Sequence, residues 1–224
     1  PPPRERWSIL AVLFCLNALN FYDRQILGAI TEPVRRELEL SDTQVGFLGT
    51  AFTLVYAAVG IPLGRLADTW KRNRLLSLSL ATWSLFTAAS GLVRGYTSLF
   101  ATRLGVGIGE AACAPAANSL IGDLFPPGQR ARALSIFMLG LPVGLFFSYW
   151  FSGRIAQAYG WRSAFYVAAL PGLLLAILAW KLREPVRGAA EASSVAARCR
   201  PGSPWAVVLG IPTMWWIILS GALF

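Results

Sequence analysis

The sequence predicts an all-α membrane protein: six membrane-spanning helices in one bundle, followed by the start of a seventh. Three observations carry this. Hydrophobic residues make up 55% of the 224 and charged residues only 14%, whereas a soluble domain carries about 25% charged residues. Mean hydropathy is +0.54. The apolar residues also gather in runs of about 20, the length that crosses a bilayer core as a helix. In a soluble protein a net charge of +9 would point to nucleic acid. Here it is the excess that cytoplasmic loops of membrane proteins collect, and no nucleic-acid partner is expected.

The first span covers residues 7–31. It is too long, and too interrupted by Asp23 and Arg24, to be a signal peptide. The second covers 43–66, the third 75–93, the fourth 98–125, the fifth 131–155 and the sixth 163–180. These give a bundle over 1–181, a polar cytoplasmic linker over 182–204, and the start of a second bundle over 205–224. Because the chain begins at Pro1 and its seventh apolar run stops at Phe224, a longer protein with a second half is expected. Small pairs at Gly60/Gly64 and Gly140/Gly144 are spaced for close helix approach. Pro62, Pro115, Pro142 and Pro171 permit bends.

Charge orients the spans. With the N-terminus placed inside, Arg4, Arg6, Arg65, Lys71, Arg72, Arg74, Arg130, Arg132, Lys181, Arg183, Arg187, Arg198 and Arg200 share that side. Only Arg35, Arg36, Arg94, Arg154 and Arg162 fall on the other. This bias predicts cytoplasmic N- and C-terminal ends for the six-span bundle. The expected setting is a bacterial inner membrane.

Cys15 and Cys113 lie in apolar runs and read as packing residues, while Cys199 lies in the polar linker. There is no histidine, so any proton relay must use carboxylates. No metal-ligand spacing, nucleophile elbow or paired catalytic carboxylates occur, so neither a cofactor nor an enzyme is expected.

Charges inside spans are costly and mark candidate functional positions. Asp23 lies about 6 Å outward of the first span's centre, and Arg103 about 10 Å outward of the fourth's, with Glu110 near midplane. Arg103 and Glu110, seven residues apart, point the same way within ~20°. Asn17, Asn20 and Arg24 share one face of the first helix. Two polar faces at overlapping depth suggest two walls of one cavity. The competing reading is an Asp23–Arg103 ion pair that only fastens helices.

Gly64-Arg-Leu-Ala-Asp68-Thr-Trp-Lys-Arg72-Asn-Arg74 resembles the signature loop of the major facilitator superfamily, departing from it at Thr69 and Lys71. Arg103-Leu-Gly-Val-Gly107 resembles that superfamily's Arg-x-x-x-Gly motif. The run Gly105-x-Gly107-x-Gly109 mimics a nucleotide loop, but no strand precedes it and it lies within a span. Asn20-Phe-Tyr-Asp23-Arg24, Gly107-Ile-Gly109-Glu110-Ala111, Asp123-Leu-Phe-Pro-Pro-x-x-Arg130, Ser135-Ile-Phe and Arg183-Glu-Pro-x-Arg187-Gly188 resemble the Spinster family. That resemblance implies a proton-coupled carrier of lysolipids or sphingoid phosphates. The superfamily implies two halves of six spans, each built of inverted triplets.

On these grounds Glu110 and Asp23 are the candidates for proton coupling, and Arg24, Arg103, Asn17 and Asn20 for charge pairing and substrate. Gly64, Asp68, Arg72, Arg74 and Asp123 are the candidate cytoplasmic gate. Asp68, by resemblance, braces the two halves, and Asp123 is placed to pair with Arg72. The expected partners are an amphiphilic or anionic small molecule, protons, the lipid bilayer and the second half of the protein. A carrier of a small organic anion and a non-transporting membrane scaffold are the alternatives.

Overall fold

The computed structural model describes residues 3–188, 190 and 210–216. Residues 1–191 and 192–224 form two separate units. The first is a helical bundle. In the second, residues 212–216 form a short helical segment. Most of the expected 182–204 linker and of the seventh apolar run lies outside the described residues.

The chain crosses the bundle six times. The crossings are α1 (Pro3–Ala29), α3 (Asp42–Thr69), α4 (Arg72–Ser90), the pair α5 (Tyr96–Glu110) and α6 (Cys113–Leu124), the broken rod of α7 (Pro127–Met138), α8 (Gly140–Phe147) and α9 (Gly153–Tyr159), and α10 (Trp161–Lys181). A short helix, α2 (Thr31–Glu37), links the first two crossings. Each crossing overlaps an expected span. Among the described residues four helical stretches are long and apolar enough to cross a membrane: Asp42–Thr69, Tyr96–Leu124, Pro127–Tyr159 and Trp161–Lys181. The other two crossings, α1 and α4, bury polar side chains within the bundle, among them Asn17, Asn20, Asp23, Ser84 and Thr87. Their low apolarity therefore marks them as inner walls.

The interruptions have local causes. Pro115 has no N–H to donate to the Ala111 carbonyl, and α5 gives way to α6 across Ala111–Ala112, leaving Glu110 as the last residue of α5. Between α8 and α9 the chain widens into a π-turn at Ser148–Ser152. The two serines at its ends bind α1: Ser148 donates to the Tyr22 carbonyl and Ser152 to the Tyr22 hydroxyl, each at 2.9 Å.

Bare glycines set the helix spacing. A Cβ at Gly144 would stand 2.2 Å from the Ala18 carbonyl oxygen, and one at Gly140 would stand 2.9 Å from the Ala18 nitrogen, so this pair lets α8 lie directly on α1 as expected. The Gly60/Gly64 pair differs. A Cβ at Gly60 would meet nothing within 4 Å, and one at Gly64 would only reach the Pro115 side chain at 4.0 Å. That stretch of α3 faces outward among the described residues, so the spacing alone did not create a contact.

Candidate functional site

α1 and α5 meet at a charge pair. Arg24 Nε donates to Glu110 Oε2 at 2.8 Å. Glu110 is fully buried, whereas the Arg24 side chain keeps 25% of its exposure. Three aromatic rings collar the guanidinium: Tyr56 at 4.2 Å, Phe21 at 5.2 Å and Phe52 at 5.6 Å. Cation–π contact of this kind steadies a guanidinium while leaving part of its rim free for an anion. Arg24 is thus the accessible pole of an otherwise buried polar cluster.

Arg103 is not the partner of Glu110. Two turns earlier on α5, its side chain runs toward the end of α4, where Nη2 donates to Ser90 Oγ at 3.3 Å and the guanidinium lies 5.4 Å from the Phe165 ring. Sharing a helix face put Arg103 and Glu110 on one side of α5. The seven-residue rise separates them, and the guanidinium that reaches Glu110 comes from α1 instead. No ion pair joins Asp23 to Arg103 either, so the fastening pair entertained from sequence is not formed. Both Asp23 oxygens are buried without a hydrogen-bond partner.

The two asparagines part company. Asn17 donates to the Phe137 carbonyl at 2.8 Å and ties α1 to α7. Asn20 Nδ2 is buried without a partner. Among the described residues nine buried side-chain atoms lack partners, and all nine belong to α1, α4 and α5: Arg6, Asn20, Asp23, Trp83, Ser84, Thr87, Arg103 and Glu110 supply them. An unsatisfied polar group in a bilayer-embedded interior costs several kcal/mol. Such groups call for an explanation in function or hydration.

A second cluster closes the end of the bundle where the chain starts. Arg72, fully buried, forms ion pairs with Asp123 of α6 and, at 2.7 Å, with Glu184 beyond α10. It also donates to Ser119 Oγ at 2.8 Å and to the Pro185 carbonyl at 3.2 Å. Glu184 accepts from the Asn73 backbone N–H at 3.0 Å and so caps the start of α4. Arg187 donates to the carbonyls of Ala67 at 3.0 Å and Trp70 at 2.6 Å. The Gly188 N–H donates to Asp123 at 2.8 Å. Residues 182–188, expected to begin a free linker, are instead a strap across the α3–α4 loop. Its polar composition made the segment read as a linker, but Glu184, Arg187 and the Gly188 N–H each find a partner on the bundle. Glu184 and Arg187 were not singled out as site residues, although the Arg183–Gly188 motif pointed to this segment. Of the expected gate residues, Arg72 and Asp123 pair with each other. Arg74 lies over the Trp180 ring at 5.4 Å. Asp68 is exposed and has no partner among the described residues.

At the opposite end Glu37 of α2 holds α10. It accepts from Trp161 Nε1 at 2.6 Å and pairs with Arg162. The Arg162 guanidinium, followed by the Trp161 indole, holds the Glu37 carboxyl below the usual carboxylate range.

Comparison with known proteins agrees with this architecture. The profile of the Major Facilitator Superfamily matches residues 13–224. The chain is 34% identical over 208 residues to human Protein spinster homolog 1, covering 91% of this chain and 39% of that one. It is 32% identical to a probable L-galactonate transporter of Escherichia coli, covering 97% of this chain and 50% of that one. The crystal structure of a bacterial homologue of the human lysosomal transporter Spinster, inward-facing and unoccupied, superposes with a TM-score of 0.82 at 32% identity, over 98% of this chain and 52% of that one. The chain therefore spans about half the length of the proteins it matches. With a family profile that covers nearly all of its residues, a six-crossing bundle and charges at its heart, this chain belongs to the Major Facilitator Superfamily and is Spinster-like.

Proposed function

We propose that the chain forms the N-terminal half of a proton-coupled secondary transporter that moves an amphiphilic anion, such as a lysolipid or sphingoid phosphate, by alternating access. The Arg24–Glu110 pair carries this reading. Arg24 is reachable and Glu110 is not, so an arriving anion and the Glu110 carboxylate compete for one guanidinium. A proton on Glu110 removes its negative charge and frees Arg24 for the anion. An anion on Arg24 in turn removes the positive charge that favours ionised Glu110. By linkage each ligand then strengthens the other's binding by the same factor. Proton and anion load together and leave together, which is symport. The driving force is ample, because one charge crossing 100 mV gains ~2.3 kcal/mol.

The amphiphilic character rests on the Spinster-like motifs and on the aromatic collar of Phe21, Phe52 and Tyr56 around the anchoring cation. A second reading, a carrier of a small organic anion, is favoured by the likeness to a probable L-galactonate transporter. Asp23 is the second candidate carboxylate, and Arg103 a further candidate for charge pairing. Arg72, Arg74, Asp123, Gly64 and Asp68 form the gate on the side where the chain starts, and the positive-inside bias makes that side cytoplasmic. The membrane is the bacterial inner membrane.

The test is uptake by the full-length protein in proteoliposomes with an imposed pH gradient, using a lysophosphatidic acid and a hexuronate as separate probes. Acid-driven uptake of the lysophosphatidic acid, lost in Arg24→Ala, is expected. Uptake of the hexuronate alone would select the second reading. Uptake of either that ignores the pH gradient would overturn proton coupling.

A further inference from the structure

The exposed flank of α4 and α10 holds a groove that has no part in the scheme above. It measures about 420 Å³ and lies between the two helices toward the end of the bundle where the chain starts. Ser77 and Ala81 of α4 and Ala176 of α10 line it with small side chains, and Leu173, Ile177 and Trp180 of α10 with large ones. The one hydroxyl is already engaged, because Ser77 Oγ donates to the Ala176 carbonyl at 2.7 Å. The lining therefore offers a polar solute nothing to bind and suits hydrocarbon. From Lys181 to Leu173 the groove follows α10 for ~12 Å, at 1.5 Å per residue. One leaflet's share of a bilayer's hydrocarbon core is ~15 Å, so the groove tracks most of the depth of one leaflet.

The mouth of the groove is cationic. Lys181, exposed in the last turn of α10, lines it. Arg74, exposed in the first turn of α4, lies over the Trp180 ring at 5.4 Å. A guanidinium stacked on an indole keeps its N–H rim free for a phosphate. Among the described residues neither cation forms an ion pair. The carboxylates of this end are held elsewhere: Asp123 and Glu184 by Arg72, while Glu5 lies 3.9 Å from Arg183. Away from the mouth the flank stays apolar. Leu170, Leu174 and Ile177 form an exposed stripe along α10, and Leu78 and Leu85 stand exposed on either side of Ala81 on α4. Cations first, then a tryptophan, then bare hydrocarbon is the order of groups at the headgroup boundary of a membrane.

We infer that this groove is a binding site for an anionic phospholipid of the bilayer, with one acyl chain lying along α4 and α10 and the phosphate held by Arg74 and Lys181. Charge complementarity selects the occupant. Two cations without a carboxylate, set above an apolar channel, match a molecule whose anionic head is joined to a hydrocarbon tail. A zwitterionic head would bring a cation of its own against them. Basic pockets between membrane helices recognise anionic lipid heads in this way. Neither α4 nor α10 supplies a group to the Arg24–Glu110 pair or to its aromatic collar, so the lipid site is separate from the proposed transport site. Lys181 stands where the strap leaves α10, and Arg74 lies two residues from Arg72. A lipid that bridges them therefore braces the helix ends that the Arg72–Glu184 pair joins.

The test is photolabelling of the full-length protein in phosphatidylcholine nanodiscs that carry a small fraction of phosphatidylglycerol with a diazirine in its acyl chain. Adducts are mapped by peptide mass spectrometry, and phosphatidylcholine bearing the same diazirine is the comparison probe. The phosphatidylglycerol probe is expected to label Leu173, Ala176 and Ile177 about fivefold or more above the phosphatidylcholine probe, since each cation near an anionic head is worth about a fivefold change in affinity. In the double variant Arg74→Gln, Lys181→Gln the two probes are expected to label alike, with a melting curve to show that the protein is folded. If the double variant is unstable, Ala81→Leu is used instead. It fills the groove and keeps both cations, and labelling by phosphatidylglycerol is expected to fall about fivefold. Equal labelling by both probes in the parent protein would reduce the groove to ordinary lipid contact and overturn the inference. A preference that survives in the folded double variant, or labelling that survives in Ala81→Leu, would overturn it too. So would a groove that neither probe labels, because the second half of the protein or another copy would then cover it. No transported substrate is present in the assay, so its outcome and that of the uptake test are read separately.

Discussion

Glu110 and Arg24 differ in what their loss should do, because one is buried and the other is partly open. Glu110→Gln keeps the size and a hydrogen-bonding oxygen but cannot titrate. It leaves Arg24 with its aromatic collar and a quarter of its side-chain exposure. The cost should therefore fall below the ~3–5 kcal/mol seen when a fully buried pair loses one partner. The expected outcome is a folded protein that exchanges the anion across the membrane but no longer accumulates it against a gradient. Anion affinity should become independent of pH, since the competitor for Arg24 is gone. Counterflow and pH-driven uptake, measured on one preparation, separate these. A stable Glu110→Gln protein with unchanged pH-driven accumulation would remove Glu110 from the mechanism and leave Asp23. Arg24→Lys is the complementary change. A point charge retains attraction but not the planar fork, so affinity for the anion should fall about tenfold or more in a binding assay while the bundle stays folded.

Helices here are placed by small residues and anchored by charges at their ends. Gly109→Ala forces a methyl group to within 2.7 Å of the Trp83 backbone nitrogen, where no side chain can swing aside. Overpacking of this kind costs ~1–3 kcal/mol, and a lower melting temperature than that of Gly60→Ala, where the added methyl meets nothing, is the check. At the far end the tie from α2 to α10 runs through Glu37. Its carboxyl is held below the usual range by Arg162 and then Trp161. A lowered folded-state value means the tie contributes fully above the ordinary carboxylate range, about 4, and is lost only as pH falls through the lowered value. Hydrogen-exchange protection of α2 should therefore survive mild acidification and vanish below that range, and Glu37→Gln should remove it at all pH values. Much of this element-level picture was legible beforehand. Six apolar runs became six crossings, and Gly140/Gly144 seats α8 on α1. What was not legible depended on reach across helices. Spacing along α5 aligned Arg103 with Glu110, but the partner comes from α1. Likewise Arg183–Gly188 reads as the start of a polar linker until Glu184 is seen to pair with Arg72 and to accept from the Asn73 N–H at the start of α4.

At the scale of the whole molecule, the placement of this bundle in the membrane and the working of the proposed gate are the quantities to test. Cysteine substitution at Lys71 and Arg35, in a background without the native cysteines, should label from the cytoplasm and from outside respectively. The reverse pattern would invert the topology. The gate is then asked through Asp68. The strap residues Glu184 and Arg187 hold the α3–α4 loop from one side, and Arg72 with Asp123 locks it to α6. Asp68 takes part in none of this: it is exposed at the last turn of α3 and carries its charge outward. A charge that serves neither the bundle nor the Arg24 site is suited to a partner present in only one state of the transport cycle. Removing it changes the balance of states and the rate of passage between them, whereas removing a ligand contact changes affinity directly. Asp68→Asn should therefore leave anion binding within about twofold while turnover at saturation falls tenfold or more, a loss of ~1.4 kcal/mol in the rate-limiting step. Glu184→Gln should behave differently again, loosening the strap so that a protease cleaves within 182–188 faster than in the parent. Binding, turnover and cleavage measured together give each residue its own signature. Lost affinity with normal turnover in Asp68→Asn would place Asp68 at the substrate and reject its role as a gate.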